Sequence, residues 1–317
     1  MKFTVNKEEL LEKLHLAARF TSVKLSTLTT LQGVCLEGQG DSLHFYASNL
    51  SSYFHTTLKS EGVGGVGVVV DPKKTAEFIS LLSSAKITLE VDEKRLLISS
   101  EKTRGSFPVM SPADFPLPPK IAGKAQVIKT DFLLKNLPMV AFAASGDESR
   151  PILTGVNFLT GEDLAMVSTD GFRLSLVRTK KEIEIPSAII PSDFLLEVVR
   201  YIKEEKEVGL HYLAEEKTVA FTVGETQFYS RLIDGEFPPF EKVIPTQKAT
   251  TVTVDSDELL RSVKLASVFA RDFSNVVVLF FKKSGLECRP KMDAGEENSA
   301  FQESVFEGEE QKVAFNF

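Results

Sequence analysis

Thr130-Asp131-Phe132-Leu133-Leu134-Lys135-Asn136-Leu137 decides the fold, because the chain writes this stretch three times. Lys7-Glu8-Glu9-Leu10-Leu11-Glu12-Lys13-Leu14 matches it upstream and Ser256-Asp257-Glu258-Leu259-Leu260-Arg261-Ser262-Val263 downstream, a period of roughly 125 residues. Each copy follows a short alternating segment, Phe3-Thr4-Val5, Gln126-Val127-Ile128 or Val252-Thr253-Val254, which reads as a strand. Each opens with a polar N-cap region and carries acids in the first turn, where the helix dipole favours negative charge. Leu or Val at i, i+1 and i+4 then gives a helix with one buried face and one polar face.

Two further markers keep the same period. Asp114-Phe115-Pro116 is matched by Glu236-Phe237-Pro238. The passage Val69-Val70-Asp71-Pro72-Lys73-Lys74-Thr75-Ala76-Glu77-Phe78 is matched by Ile189-Ile190-Pro191-Ser192-Asp193-Phe194-Leu195-Leu196-Glu197-Val198, a second strand-to-helix step. Between them run short, turn-bounded strands such as Gly33 to Glu37, Leu43 to Ala47, Ile87 to Val91 and Leu96 to Ser99. One unit therefore reads strand, helix, several strands, strand, helix, several strands and a Phe-Pro exit. Two helices packed on antiparallel sheets, repeated, is an α+β architecture. The boundaries fall at 1–121, 122–246 and 247–317. Val313-Ala314-Phe315-Asn316-Phe317 lies where Gly67 to Val70 and Ile185 to Ile190 lead into the second helix, so repeat counting expects the third copy to be incomplete, about half present.

Composition narrows the function classes. With 43% hydrophobic and 26% charged residues the chain has the make-up of a soluble globular protein. No apolar run reaches the ~18 residues of a membrane-spanning helix, and the N-terminus lacks the apolar core of a signal peptide. Cys35 and Cys288 form no metal or redox pattern, which points to a reducing cytoplasm. His15, His44, His55 and His211 show no ligand spacing, so no metal and no cofactor is expected. The net charge of −7 argues against gripping nucleic acid by bulk electrostatics. It leaves room for a protein that holds DNA by topology, with basic residues on an inner face only. No carboxylate pair, Ser/His/Asp set or phosphate loop stands out, so an enzyme is not expected. Gly62-Val63-Gly64-Gly65-Val66-Gly67 precedes a strand instead of joining strand to helix and reads as a flexible hairpin loop. Pro138 should kink the helix of the second repeat. The acidic stretch from Glu296 to Glu310 reads as a solvated loop and strand edge.

Two stretches stand apart. In Val167-Ser168-Thr169-Asp170-Gly171-Phe172-Arg173-Leu174-Ser175-Leu176-Val177 the Asp-Gly pair marks a tight turn between strands, because Gly supplies φ > 0 without a steric penalty. The turn should carry Phe172 and Leu174 beside Arg173 on one small surface. Gly235-Glu236-Phe237-Pro238-Pro239-Phe240-Glu241-Lys242-Val243-Ile244-Pro245 is stiffened by three prolines and carries apolar side chains. Together with three repeats of this period and the Asp-Phe-Pro exit, the Thr169-Asp170-Gly171-Phe172-Arg173-Leu174 run resembles the bacterial DNA polymerase III beta subunit, or beta sliding clamp, family.

That resemblance implies the DNA clamp fold: a head-to-tail homodimeric ring of similar domains closed around duplex DNA. The ring has no catalytic activity. It tethers DNA polymerase III, other polymerases and the clamp loader through short linear peptides. Carried over residue by residue, the peptide site maps to Leu153, Thr169, Gly171, Phe172, Arg173 and Leu174, with Pro238, Lys242 and Val243 opposite. Phe172 stands where the family often has His, and Lys242 where it often has Arg, and Lys lacks the bidentate fork of Arg. The DNA-facing surface is expected from Arg19, Lys24, Lys73, Lys74, Lys135, Arg150, Arg200, Lys203, Arg261 and Lys264. Lys73 and Lys74 match a basic pair of the family; the others are taken from helix faces and adjacent loops. The alternative reading is an incomplete clamp that acts only as a monomeric protein-interaction module.

Overall fold

Helices start where strands stop, and the sequence shows how. In the computed structural model, which describes residues 2–22, 28–63, 65–92, 94–272, 274–291 and 298–317, Asn6 closes the strand Lys2–Asn6 and caps helix α1 (Lys7–Ala18). Its Oδ1 accepts the N–H of Glu8 at 2.9 Å and of Glu9 at 3.2 Å, two of the four donors a helix start leaves unpaired. Asp71 does the same for α2 (Pro72–Ser80) and Asp255 for α5 (Ser256–Ala270). Helices α3 (Thr130–Ala141) and α4 (Ser192–Tyr201) have no side-chain cap. The expected polar cap of the second repeat falls on Lys129, whose ammonium has nothing to accept with. Helix α3 runs through Pro138 to Ala141, with Pro138 on its exposed side.

The chain divides into two compact units, Met1–Phe237 and Pro238–Phe317. In the first, helices pack in pairs, α1 on α2 and α3 on α4. One sheet is ordered Glu61–Val63, Lys2–Asn6, Lys86–Val91, Arg95–Ser100, Thr103–Pro108; another is ordered Leu174–Lys180, Asp163–Thr169, Gly155–Thr160, Ala188–Pro191. A third sheet has eight strands, half from each repeat. Its central joint is the antiparallel pairing of Thr226–Arg231 with Ser52–Lys59, which sets Phe228 opposite Phe54 and Gln227 opposite His55. The first two repeats thus share backbone hydrogen bonds and one apolar core. Under the joint, Phe20, Phe54, Phe228 and Tyr201 pack with ring centroids 5.1 to 5.7 Å apart. Beneath them Thr226 Oγ1 bonds both Thr56 Oγ1 (2.8 Å) and the Tyr201 hydroxyl (2.9 Å).

The opposite face of the joint is polar. The Tyr229 hydroxyl donates to Gln227 Oε1 at 2.6 Å, and His55 Nδ1 lies 3.0 Å from the same oxygen. His55 Nε2 meets His44 Nδ1 at 3.0 Å. With Gln227 Oε1 accepting from both neighbours, neutral His55 donates through Nδ1 and accepts from His44 through Nε2.

The Gly-rich segment corrects the sequence reading. Instead of a flexible loop, its described residues form Glu61–Val63 and the start of Gly65–Val70. Gly62 pairs with Phe3, and a Cβ there would sit 2.1 Å from the Lys2 carbonyl oxygen. Glycine serves close strand approach at this position.

In the second unit, α5 covers a sheet ordered Ala300–Gln302, Gly285–Pro290, Val276–Lys282, Gln311–Asn316. Thr250–Thr253 pairs with Val305–Gly308. Val276 pairs with Asn316 as Val34 pairs with Val70 and Gly155 with Pro191. The third copy therefore repeats the strand order of the first two. Of the acidic stretch, Glu296 and Glu297 lie outside the described residues; Ala300–Gln302 forms a sheet edge.

Candidate functional site

The Asp170 turn closes on its own side chains. Thr169 and Leu174 end the paired register of Asp163–Thr169 and Leu174–Lys180, so four residues make the connection. Asp170 Oδ1 accepts the N–H of Phe172 (2.9 Å) and Arg173 (3.0 Å), and its Oδ2 accepts Arg173 Nε (3.0 Å). Thr169 Oγ1 donates to the Arg173 carbonyl (2.7 Å) and accepts the Gly171 N–H (3.0 Å). Gly171 has φ of +93°; its nearest neighbour leaves room for a Cβ, so the conformation, not space, requires glycine. Partial burial works against the Asp170 charge. The Arg173 and Phe172 N–H groups and the Arg173 guanidinium outweigh it, holding the carboxyl below its ordinary range.

This bonding decides what the turn presents. Arg173 folds back onto Asp170 and lies over the Phe142 ring at 5.5 Å. Phe172 points away, 95% exposed. Leu174 is half-buried at the first position of its strand. The sequence reading placed Arg173 beside Phe172 and Leu174; the structure also pairs it with Asp170. Leu153, on the single turn Pro151–Thr154 packed against Asp163–Thr169, joins the same end of the sheet. A rigid turn, one exposed aromatic ring and a half-buried Leu form an apolar edge that suits a short extended peptide with apolar anchors.

Residues not read from the sequence complete the group. Ser175 Oγ donates to the Met139 carbonyl (2.6 Å) and Ser168 Oγ to the Val140 carbonyl (2.5 Å), tying α3 to the hairpin. Arg150 was assigned to the DNA face. It donates from Nε to Asp147 (3.1 Å) and from Nη1 to the Asp170 carbonyl (3.4 Å). The Asp-x-x-Arg spacing of 147/150 and 170/173 was the available signal.

Pro238, Lys242 and Val243 belong to the second compact unit. There Phe240–Val243 forms one turn that buries Phe240 and leaves Lys242 and Val243 exposed.

The basic candidates sort by element. Lys73 and Lys74 are exposed in the first turn of α2, Lys135 is exposed on α3, and Lys203 lies just past α4. Arg19, at the end of α1, and Arg200, on α4, share one carboxylate, Glu197. In the second unit Arg261 and Lys264 are exposed on α5. Lys24 lies outside the described residues. Among the described residues no group of three or more His, Cys, Asp or Glu could hold a metal ion, and no helix is long and apolar enough to cross a membrane.

Comparison with known proteins follows the repeats. Residues 1–119 match the N-terminal domain of the DNA polymerase III beta subunit, 127–239 its central domain and 241–317 its C-terminal domain. The beta sliding clamp of Bacillus subtilis is 27% identical over all of this chain and 88% of its own length. A crystal structure of the Thermotoga maritima beta subunit superposes with a TM-score of 0.85 at 26% identity, over 99% of this chain and 87% of that one. A Pseudomonas aeruginosa sliding clamp bound to griselimycin superposes at 0.84 with 25% identity, over 100% and 87%.

Proposed function

The chain belongs to the DNA polymerase III beta subunit family, and on that premise we propose that it serves as a sliding clamp, a DNA polymerase processivity factor. It works by enclosure and tethering, without catalysis, in the cytoplasm. Its three domains are 1–121, 122–246 and 247–317. The form that encircles duplex DNA is a homodimer, and polymerases and the clamp loader attach by short peptides. What carries this reading is the threefold match: three domain descriptions of one family, in order, along nearly the whole chain.

The peptide site is built from Leu153, Thr169, Gly171, Phe172, Arg173 and Leu174 of the first unit; Pro238, Lys242 and Val243, expected from the family resemblance, belong to the second unit. The turn supports this assignment by being bonded into one shape before any ligand arrives, so little ordering is needed on binding. A Leu or Phe side chain buried there gains roughly 1.5–3 kcal/mol from area alone. Leu174→Asp would set an unpaired charge in the apolar edge, a penalty larger than that gain. Titration of a labelled Gln-Leu-x-Leu-Phe peptide should give saturable binding to the wild type and none to Leu174→Asp, with thermal melts of both intact. Equal affinity in the two would reduce the stretch to a structural hairpin.

DNA contact falls to the helix faces and adjacent loops, with Arg19, Lys24, Lys73, Lys74, Lys135, Arg150, Arg200, Lys203, Arg261 and Lys264 as candidate phosphate-facing cations, of which Arg19, Arg150 and Arg200 are paired with carboxylates in the free chain. Enclosure predicts weak affinity for short linear duplex and a steep fall with salt. Loading onto nicked circular DNA followed by linearisation is the direct test: a clamp runs off the ends, whereas a surface binder remains.

A further inference from the structure

Arg19 and Arg200 come from different repeats and converge on one side chain. Arg19 Nη1 lies 2.9 Å from Glu197 Oε2, and Arg200 Nη1 bonds Glu197 Oε1. Each oxygen of the carboxylate is therefore occupied by its own guanidinium. Glu197 is the most covered of the three, with its side chain 23% exposed against 51% and 59% for the arginines. The bridge separates two clefts of about 420 and 390 Å³. Glu12 and His15 of α1 line the first and Asp193 of α4 the second. Around the two arginines, then, stand three carboxylates.

From this geometry we propose that Glu197 attenuates DNA binding, holding Arg19 and Arg200 on a carboxylate in place of phosphate. This rests on the reading of the helix faces as DNA-facing. An arginine strengthens nucleic-acid binding when it neutralises a phosphate and releases a counterion. One already bonded to a carboxylate must give up that bond, or bring a negative charge to the phosphate with it. Both outcomes lessen its contribution. For a protein that must enclose duplex DNA without gripping it, a paired arginine keeps the surface polar while removing a point of attachment. Lys73 and Lys74 differ: Lys74 Nζ lies 4.0 Å from Asp71 Oδ2, at the outer limit of an ion pair, while Asp71 Oδ1 caps the helix through two backbone N–H groups.

The test is a salt series of duplex binding by the full chain, read as the slope of log K against log salt. Glu197→Gln, and Glu197→Met as a second neutral variant of similar length, should bind several-fold tighter at low salt. Their slopes should steepen by about 0.9 for each arginine freed. Adding Arg19→Gln and Arg200→Gln to either variant should remove the gain. A parallel Lys73→Gln/Lys74→Gln variant tests the underlying reading and should lose slope. If the lysine variant loses slope while both Glu197 variants match the wild type or bind more weakly, Glu197 is only a staple between repeats and the proposal is overturned. If the lysine variant keeps the full slope, the helix faces do not meet DNA and the proposal falls with that reading.

Discussion

Leu11 of α1 and Leu260 of α5 hold the same place in the repeated stretch, yet Leu11 is 8% exposed and Leu260 is 53% exposed. Both helices begin on the same kind of side-chain cap, from Asn6 or Asp255, and both turn one face to a sheet. They differ in what else reaches them. Helix α1 is packed by α2 and by strands of a core shared by two repeats. Helix α5 packs on the strands of its own unit, where the core is a small cluster around Ala266, Ala270, Val277 and Leu286. The same pattern of residues makes the same helix, and the number of neighbours decides how much of it leaves water.

The most direct way to break this comparison is to truncate the paired leucines. Leu11→Ala removes a buried side chain and should destabilise the first unit by about 2–5 kcal/mol. Leu260→Ala removes a half-exposed one and should change the second unit by no more than about 0.5 kcal/mol. Denaturant unfolding followed by circular dichroism, with hydrogen exchange assigning each transition, reads both. Equal losses would mean that burial does not separate the helices.

Cap substitutions sharpen the comparison from the other side, because the caps are alike. Asn6→Ala and Asp255→Ala should each cost about 1 kcal/mol, with amide exchange accelerated at Glu8 and Glu9 in one case and at Asp257 and Glu258 in the other. A loss confined to one helix would show that its cap is redundant with packing.

The smallest expected effect is in pH. Burial pushes His44 and His55 below their ordinary value of 6.5, although Glu37 opposes the shift at both, Glu225 at His44 and the Gln227 hydrogen bond at His55. A histidine with a depressed folded pKa leaves the unfolded chain binding more protons, so stability is full above 6.5 and declines as pH falls below it. The second unit contains no histidine. There the Glu287 carboxyl is held below 4.5, first by the hydrogen bond from Lys282, against its partial burial, and also by Arg289. Its contribution is present above 4.5 and is lost as pH falls further. Melts recorded from pH 7.5 down to 4 should show the first unit weakening first, and His44→Gln with His55→Gln should reduce that early loss, leaving the part due to His211, which burial also pushes below 6.5. Parallel decline of both units from pH 6.5 would contradict the assignment.

How far the molecule was legible depends on the range of the forces involved. The sequence by itself determined the repeat, its α+β class, the helix starts at Lys7, Thr130 and Ser256, and the glycine turn at Gly171. Each of these rests on periodicity, capping chemistry or backbone sterics acting within a few residues. Only the tertiary structure decided the rest. Gly62 looked like a loop residue because its reason for being glycine, the carbonyl of Lys2, lies far away in the chain. Asp147, three residues before Arg150, was legible as its partner, but the Asp170 carbonyl, twenty residues on, reaches Arg150 only in the folded chain. Arg200 and Glu197 stand three residues apart on one helix, but nothing local brings Arg19 to the same carboxylate, since that meeting depends on strand Thr226–Arg231 docking beside Ser52–Lys59. Local preferences are written residue by residue, whereas a contact between distant segments follows from how whole sheets and helices fit together.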